Sequence, residues 1–176
     1  MEVAKPGSQI DHLLRQTRMH HMQLSSMADM KANMLLTMSS IVITLSVPRV
    51  IDAELRWVFV VLIAFCLLTI ILATYAAMPK LALFSKKPPP PDLENPSFNL
   101  LFFGDFARLD YETYANAMER VMNDPSSTYE AQVREVYVLG QYLAQKKYKY
   151  LSMAYSAFMA GIFCSGILVI ITMAVS

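Results

Sequence analysis

From Leu151 to Val175 the chain runs for 25 residues without a charged side chain, more than the ~20 needed to cross a bilayer core. Trp57 to Met78 adds a second uncharged run of 22, with Trp57 and Tyr75 suited to the two membrane interfaces. The third run, Ala32 to Val47, has only 16 residues before Pro48-Arg49. A run that short also fits a buried soluble helix. If Pro48 only kinks the helix, as membrane helices tolerate, it extends to Ile51. The short loop through Asp52, Glu54 and Arg56 then folds this run and the run from Trp57 to Met78 into a hairpin. These runs predict an all-α membrane protein in the lipid bilayer, with three transmembrane helices and a small cytoplasmic helical domain between spans two and three.

Composition points the same way. Of the 176 residues, 55% are hydrophobic and 16% are charged, against roughly 25% charged in a soluble protein. A net charge of +1 gives no global case for nucleic-acid binding, so any anion site must be local. Cys66 and Cys164 lie inside apolar runs and read as small hydrophobes rather than a disulfide framework. No secretory leader is expected, because the first apolar run begins only near Ala32.

Lysine and arginine set the orientation. The N-terminal segment holds four (Lys5, Arg15, Arg18, Lys31), the first loop two (Arg49, Arg56), and the segment from Pro79 to Tyr150 nine. Such an excess marks the cytoplasmic side, which puts the N-terminus inside and the C-terminus outside. The expected divisions are a cytoplasmic N-terminal helix (1–31), a transmembrane hairpin (32–78), a cytoplasmic helical segment (79–149) and a third transmembrane helix (150–176).

Within the polar segments, Ile10, Leu14, Thr17, His21, Leu24, Ala28, Lys31 and Leu35 recur every three or four residues. That near-3.5 period suits packing on another helix, of this chain or of a second subunit. Lys86-Lys87-Pro88-Pro89-Pro90-Pro91 must leave the helix as an extended spacer. Asn99-Leu-Leu-Phe-Phe-Gly104-Asp-Phe is strongly apolar yet too short to span. Asp110 caps a helix running to about Met122, and Asn123-Asp124-Pro125 breaks it. Ser127-x-x-Glu130 reads as the capping box of the next helix. That helix meets no breaker through the basic run Lys146-Lys147-Tyr148-Lys149 and on into the third span, a rod about 70 Å long at ~1.5 Å per residue.

Candidate functional features are few. Asn33, Thr37, Ser40 and Thr44 form a polar stripe on the first span. Such groups are expensive against lipid, so they either hydrogen-bond between helices or line a water path in an oligomer. Ala157, Gly161 and Ser165 form a small-residue ridge suited to close helix contact. Asp29 and Lys31 flank the start of the first span, where such charges anchor a helix end or couple a sensor to it. His20 and His21 project about 100° apart on a helix, and no acid or cysteine completes a metal site with them and His12. No HExxH, P-loop, GxSxG or paired-cysteine motif occurs, so no catalytic residue, metal or cofactor is expected. Arg108, Arg120, Arg134, Lys146 and Lys147, interleaved with Phe102, Phe103, Tyr111, Tyr114 and Tyr137, supply parts for binding a small anion. They also suit an aromatic core with a solvated charged face, which is the commoner use of residues so spaced.

The opening Asp29-x-Lys31-Ala32-Asn33 and the Asn99-to-Phe106 block are followed by a tyrosine-bearing helix, Val138-Leu139-Gly140 and a Lys/Tyr run before the last span. Over residues 29 to 175 this pattern resembles the Pycsar transmembrane effector family. The resemblance implies a bacterial antiphage defence effector in the inner membrane, partnered with a pyrimidine nucleotide cyclase. Its activating ligand would be cyclic UMP or cyclic CMP, and its action would be to impair the membrane in abortive infection. Independently of the resemblance, the polar stripe and the small-residue ridge suit a homo-oligomer. The non-enzymatic alternative is a scaffold subunit of a larger membrane complex. Under the effector reading, Phe103, Gly104, Arg108, Tyr111, Arg134, Tyr137 and Lys147 are the expected ligand residues. Gly104 would allow close backbone approach, Phe103 or Tyr111 would stack the base, and Arg134 would meet the phosphate.

Overall fold

The computed structural model describes residues 7–78 and 98–175; the expected proline spacer at 86–91 lies outside them. Among the described residues every regular element is helical. Helix α1 spans Ser8–Ser46, so the N-terminal helix passes into the first apolar run without a break. At Pro48 the chain tightens into a 3₁₀ turn, Val47–Ile51. A proline is tolerated there because the first turn of a helix has no partner for its missing N–H. The Arg56 Nε donates to the Val50 carbonyl at 3.3 Å, and Arg49 lies 4.0 Å from Asp52. These contacts tie the loop that leads into α2, Arg56–Ala77.

The segment between spans two and three holds the short α3 (Phe103–Phe106), α4 (Tyr111–Asn123) and α5 (Pro125–Tyr142). Asp110 caps α4 as expected: its carboxylate accepts from the Thr113 N–H and hydroxyl, each at 2.8 Å. The Thr113 N–H, followed by the hydroxyl, holds that carboxyl below the ordinary range. The start of α5 differs from the expected capping box. Pro125 ends α4 but also begins α5, and Asp124 takes the cap by accepting from the Ser126 and Ser127 N–H groups at 3.2 and 3.0 Å. The chain then passes through a π-helical stretch, Leu143–Tyr148, into α6, Lys149–Val175.

The chain divides into two compact units. In the first, residues 7–23 and 98–141, the start of α1 packs on α5. The Tyr129 phenol donates to the Asp11 carboxylate at 2.8 Å, and Arg18 pairs with Glu135 at 3.0 Å. Ile10, Leu14, Thr17 and His21 are accordingly half-buried, so this part of the face packs within its own chain.

The second unit, 24–78 and 142–175, is a three-helix core. It buries Ala28, Ala32 and Leu35 of α1, Cys66, Ala73 and Ala76 of α2, and Leu151, Ala154 and Phe158 of α6. The spacing of three and four on each helix is that of a left-handed helix seam. The small-residue ridge on α6 is part of it, with Ala157, Gly161 and Ser165 all buried. A Cβ at Gly161 would stand 2.6 Å from the Phe65 Cβ, so only glycine permits this approach of α6 to α2. Lipid gives no hydrophobic drive between helices, and close packing of this kind supplies the association instead. Among the described residues three helices are long and apolar enough to cross a membrane, within Ser8–Ile51, Arg56–Ala77 and Pro125–Ala174. The protein is a multi-pass membrane protein.

Candidate functional site

In the first unit, Asn99 organises the aromatic block. Its N–H donates to Asp105 Oδ2 at 3.0 Å, while its Oδ1 accepts from the Leu101 N–H at 3.0 Å. The Asn99 carbonyl accepts from the Phe102 N–H at 3.0 Å. The apolar block thus closes into a compact loop. The Phe102 ring lies where a Cβ on residue 104 would be, which is why glycine follows the two phenylalanines. Phe106 then packs on Tyr114, with ring centroids 5.0 Å apart.

This loop forms one wall of a cavity of about 320 Å³ whose other walls come from α4 and α5. Asn99 and Leu100 line it on the loop side, Ala117 and Arg120 on α4, and Glu130 and Arg134 on α5. Arg134 contacts Glu130 at 3.0 Å and keeps more than a third of its side chain exposed. Two guanidiniums against one carboxylate leave this lining with a surplus positive charge. Asn99 is 2% exposed, and its Nδ2 is buried without a partner among the described residues. An orphaned donor of this kind costs about 1–3 kcal/mol, so a small local shift that brought it an acceptor would be favoured.

Of the expected ligand residues, Arg134 lines this cavity. Gly104 supports the neighbouring loop, and Arg108 is half-buried nearby in sequence. Tyr111 is 84% exposed and Tyr137 is 63% exposed; the Tyr137 oxygen accepts from Gln141 Nε2 at 2.6 Å. The side chain of Phe103 lies outside the described residues. Arg120, one of the basic residues offered for a small anion, lines the cavity too, as do Asn99 and Glu130, for which no ligand role is expected. The readable signal is Asn99 itself, a polar residue opening an otherwise apolar block six positions before Asp105.

Lys147 belongs to the second unit. Its ammonium donates to both Asp29 oxygens at 2.7 Å and to Ser25 Oγ at 2.8 Å. One residue on, the Tyr148 phenol donates to the Leu24 carbonyl at 3.2 Å, and Tyr150 stacks with Tyr75 at 6.0 Å. Asp29 precedes the apolar part of α1 and Lys147 precedes that of α6. The two apolar segments therefore begin at the same end of the unit.

The polar stripe has a different setting. Asn33, Thr37, Ser40 and Thr44 are all exposed on the outer face of α1. The hydroxyls of Thr37, Ser40 and Thr44 donate to the carbonyls four residues back, of Asn33, Leu36 and Ser40. The Asn33 amide has no hydrogen bond among the described residues. No group of three His, Cys, Asp or Glu among them is arranged to hold a metal ion.

Comparison with known proteins finds no match among curated proteins and none among solved structures. A family model described as the Pycsar effector protein domain matches residues 12–175. With nearly the whole length covered, across both compact units and all three apolar segments, this chain belongs to the Pycsar effector family.

Proposed function

We propose that this protein is a ligand-triggered membrane effector of antiphage defence, in which a cyclic pyrimidine mononucleotide binds the 79–149 segment and the membrane helices respond by impairing the inner membrane. Membership of the family implies a defence effector rather than a known enzyme, and a pyrimidine nucleotide cyclase is the matching source of signal. The observation that carries the ligand reading is the cavity beside Arg120 and Arg134. Its volume falls at the lower end of the ~300–1,000 Å³ typical of small-molecule sites. Guanidiniums pair with phosphate oxygens through charge-assisted hydrogen bonds, and the surplus of one positive charge suits the single charge of a cyclic phosphodiester. Cyclic UMP and cyclic CMP are the ligands proposed.

The outward polar stripe supports a homo-oligomer. An Asn33 amide facing hydrocarbon is unfavourable alone, whereas a second copy offers it hydrogen-bond partners. In such an assembly the stripe lines either the contact between copies or a water path, and abortive infection follows from loss of the membrane barrier. The N-terminus and the segment between spans two and three lie on the cytoplasmic side in this reading. The shared end from which the apolar parts of α1 and α6 start agrees with that arrangement.

Calorimetric titration of the detergent-solubilised protein with cyclic UMP, cyclic CMP and cyclic AMP tests the proposal. Binding of a pyrimidine ligand is expected, weakened about ten- to a hundredfold by Arg134→Ala, because a charge-assisted contact is worth roughly 1.5–3 kcal/mol. If Arg134→Ala binds normally, the cavity is not the site. If no cyclic nucleotide binds, the scaffold reading replaces this one.

A further inference from the structure

Lys147 is the only buried basic side chain among the described residues, at 8% exposed. An ammonium has three donors, and here Asp29 Oδ1, Asp29 Oδ2 and Ser25 Oγ meet them at 2.7, 2.7 and 2.8 Å. Its surroundings along the helices are apolar: Leu143 is buried one turn before it, Leu151 one turn after, and Ala28 beside Asp29. A buried charge that loses its partner is strongly unfavourable, so Lys147 cannot stay in place once Asp29 lets go. The two partners are unequally wet, because the Asp29 side chain is 42% exposed and that of Lys147 only 10%. Water can therefore reach the carboxylate and compete for it.

The backbone around Lys147 adds a second observation. It lies within the π-helical stretch Leu143–Tyr148, between α-helical neighbours on both sides. Such stretches are rare and recur at functional sites. This one has an alternative geometry open to it, the ordinary α-helix, which needs no proline or glycine to change.

We propose that the Asp29–Lys147–Ser25 contact is a latch holding the membrane unit in its resting packing. Opening it lets the 143–148 stretch relax to α-helix and frees the start of α6 from α1. That release of this kind switches on membrane damage rests on the function proposed above; the latch itself does not. For a signal to use it, the signal must favour the opened state over the closed one.

Hydrogen exchange on the full-length protein in lipid nanodiscs tests the latch without any ligand. Asp29→Asn and Lys147→Met should each speed amide exchange at 143–148 and 24–32 at least tenfold. The reversed pair, Asp29→Lys with Lys147→Asp, should bring it back toward wild type. Amides of α2 around Cys66 and Ala73 should stay protected throughout. Wild-type exchange in the single variants overturns the latch, as does equal loss of protection in α2, which would make the pair a contact holding the whole bundle. Failure of the reversed pair to recover overturns it too.

A potential-sensitive dye in cells lacking cyclic nucleotide separates the two ideas. Depolarisation by the single variants supports latch and effector together. If the opened variants stay quiet while the wild type depolarises with ligand, the latch is not the trigger. If neither the variants nor liganded wild type depolarises, the effector reading fails and the exchange result alone decides the latch.

Discussion

Arg18 and Glu135 meet at 3.0 Å with their exposures reversed from an ordinary surface pair: the guanidinium is half in water and the carboxylate is 11% exposed. Burial pushes the Glu135 carboxyl above the ordinary range, and Arg18 opposes that shift without cancelling it. The charged form of Glu135 is thus disfavoured in the folded chain relative to the unfolded one. A raised folded-state pKa contributes stability below the unfolded value and loses it as pH rises through the folded value. Glu135→Gln, which cannot ionise, should raise the melting temperature at pH 8 by a few degrees at most and leave it unchanged near pH 4. Thermal unfolding of the purified protein at both pH values checks this; a loss of stability at pH 8 would mean that attraction to Arg18 outweighs the cost of burying the carboxylate.

Glycine at 161 is required by the approach of Phe65, whereas a Cβ at Gly166 meets nothing within 4 Å. Gly161→Leu should therefore lower the melting temperature in detergent, at a cost of about 1–3 kcal/mol for overpacking. Gly166→Leu should leave it nearly unchanged. Equal effects at the two positions would remove the close α2–α6 contact as a determinant of stability.

On the outer face of α1, Thr37→Leu combined with Asn33→Leu removes exposed polar groups. Membrane insertion and cyclic-nucleotide affinity should be unchanged, while depolarisation in cells should fall at least tenfold. Crosslinking in native membranes should show species above dimer for the wild type and fewer for the double variant. A strictly monomeric wild type by native mass spectrometry would remove the water-path form of the mechanism.

For the orientation, alkaline phosphatase fused after Ser176 should be active and the same fusion at Asp92 inactive. The opposite pattern would put the Arg120–Arg134 cavity outside the cell and separate it from any cytoplasmic nucleotide.

The features legible in the sequence are those written in local spacing. Uncharged runs predict the spanning helices, the three- and four-residue recurrence from Ile10 to Leu35 predicts a packed face, and Asp110 announces its cap. Pro125 misleads because proline both stops a helix and favours the first turn of the next, and only Asp124 behind it resolves the two roles. The pairings of Asp29 with Lys147, and of Asp11 with Tyr129, each join positions 118 residues apart. No window of local periodicity contains both partners. The cavity escapes for the same reason: Asn99, Arg120 and Arg134 lie on three elements, and only their folding together makes one lining. The π-helical stretch leaves no trace either, since Leu143 to Tyr148 contains no breaker.

The 3₁₀ turn after Ser46 bears on how the protein fits its bilayer. Residues 32–46 as α-helix cover about 22 Å at ~1.5 Å per residue, too little for a hydrocarbon core of ~30 Å. The five residues Val47–Ile51 rise ~2 Å each in 3₁₀ form and add about 10 Å, with Arg49 able to extend its charge to the headgroups. The 22 residues of α2 reach about 33 Å by the same α-helical rise. The two arms of the hairpin are thereby matched to each other and to a membrane of ordinary thickness. The uncharged part of α6, about 37 Å at that rise, is not. Hydrophobic mismatch in this protein falls on α6, and thinning the bilayer would be felt first as a demand that this helix tilt.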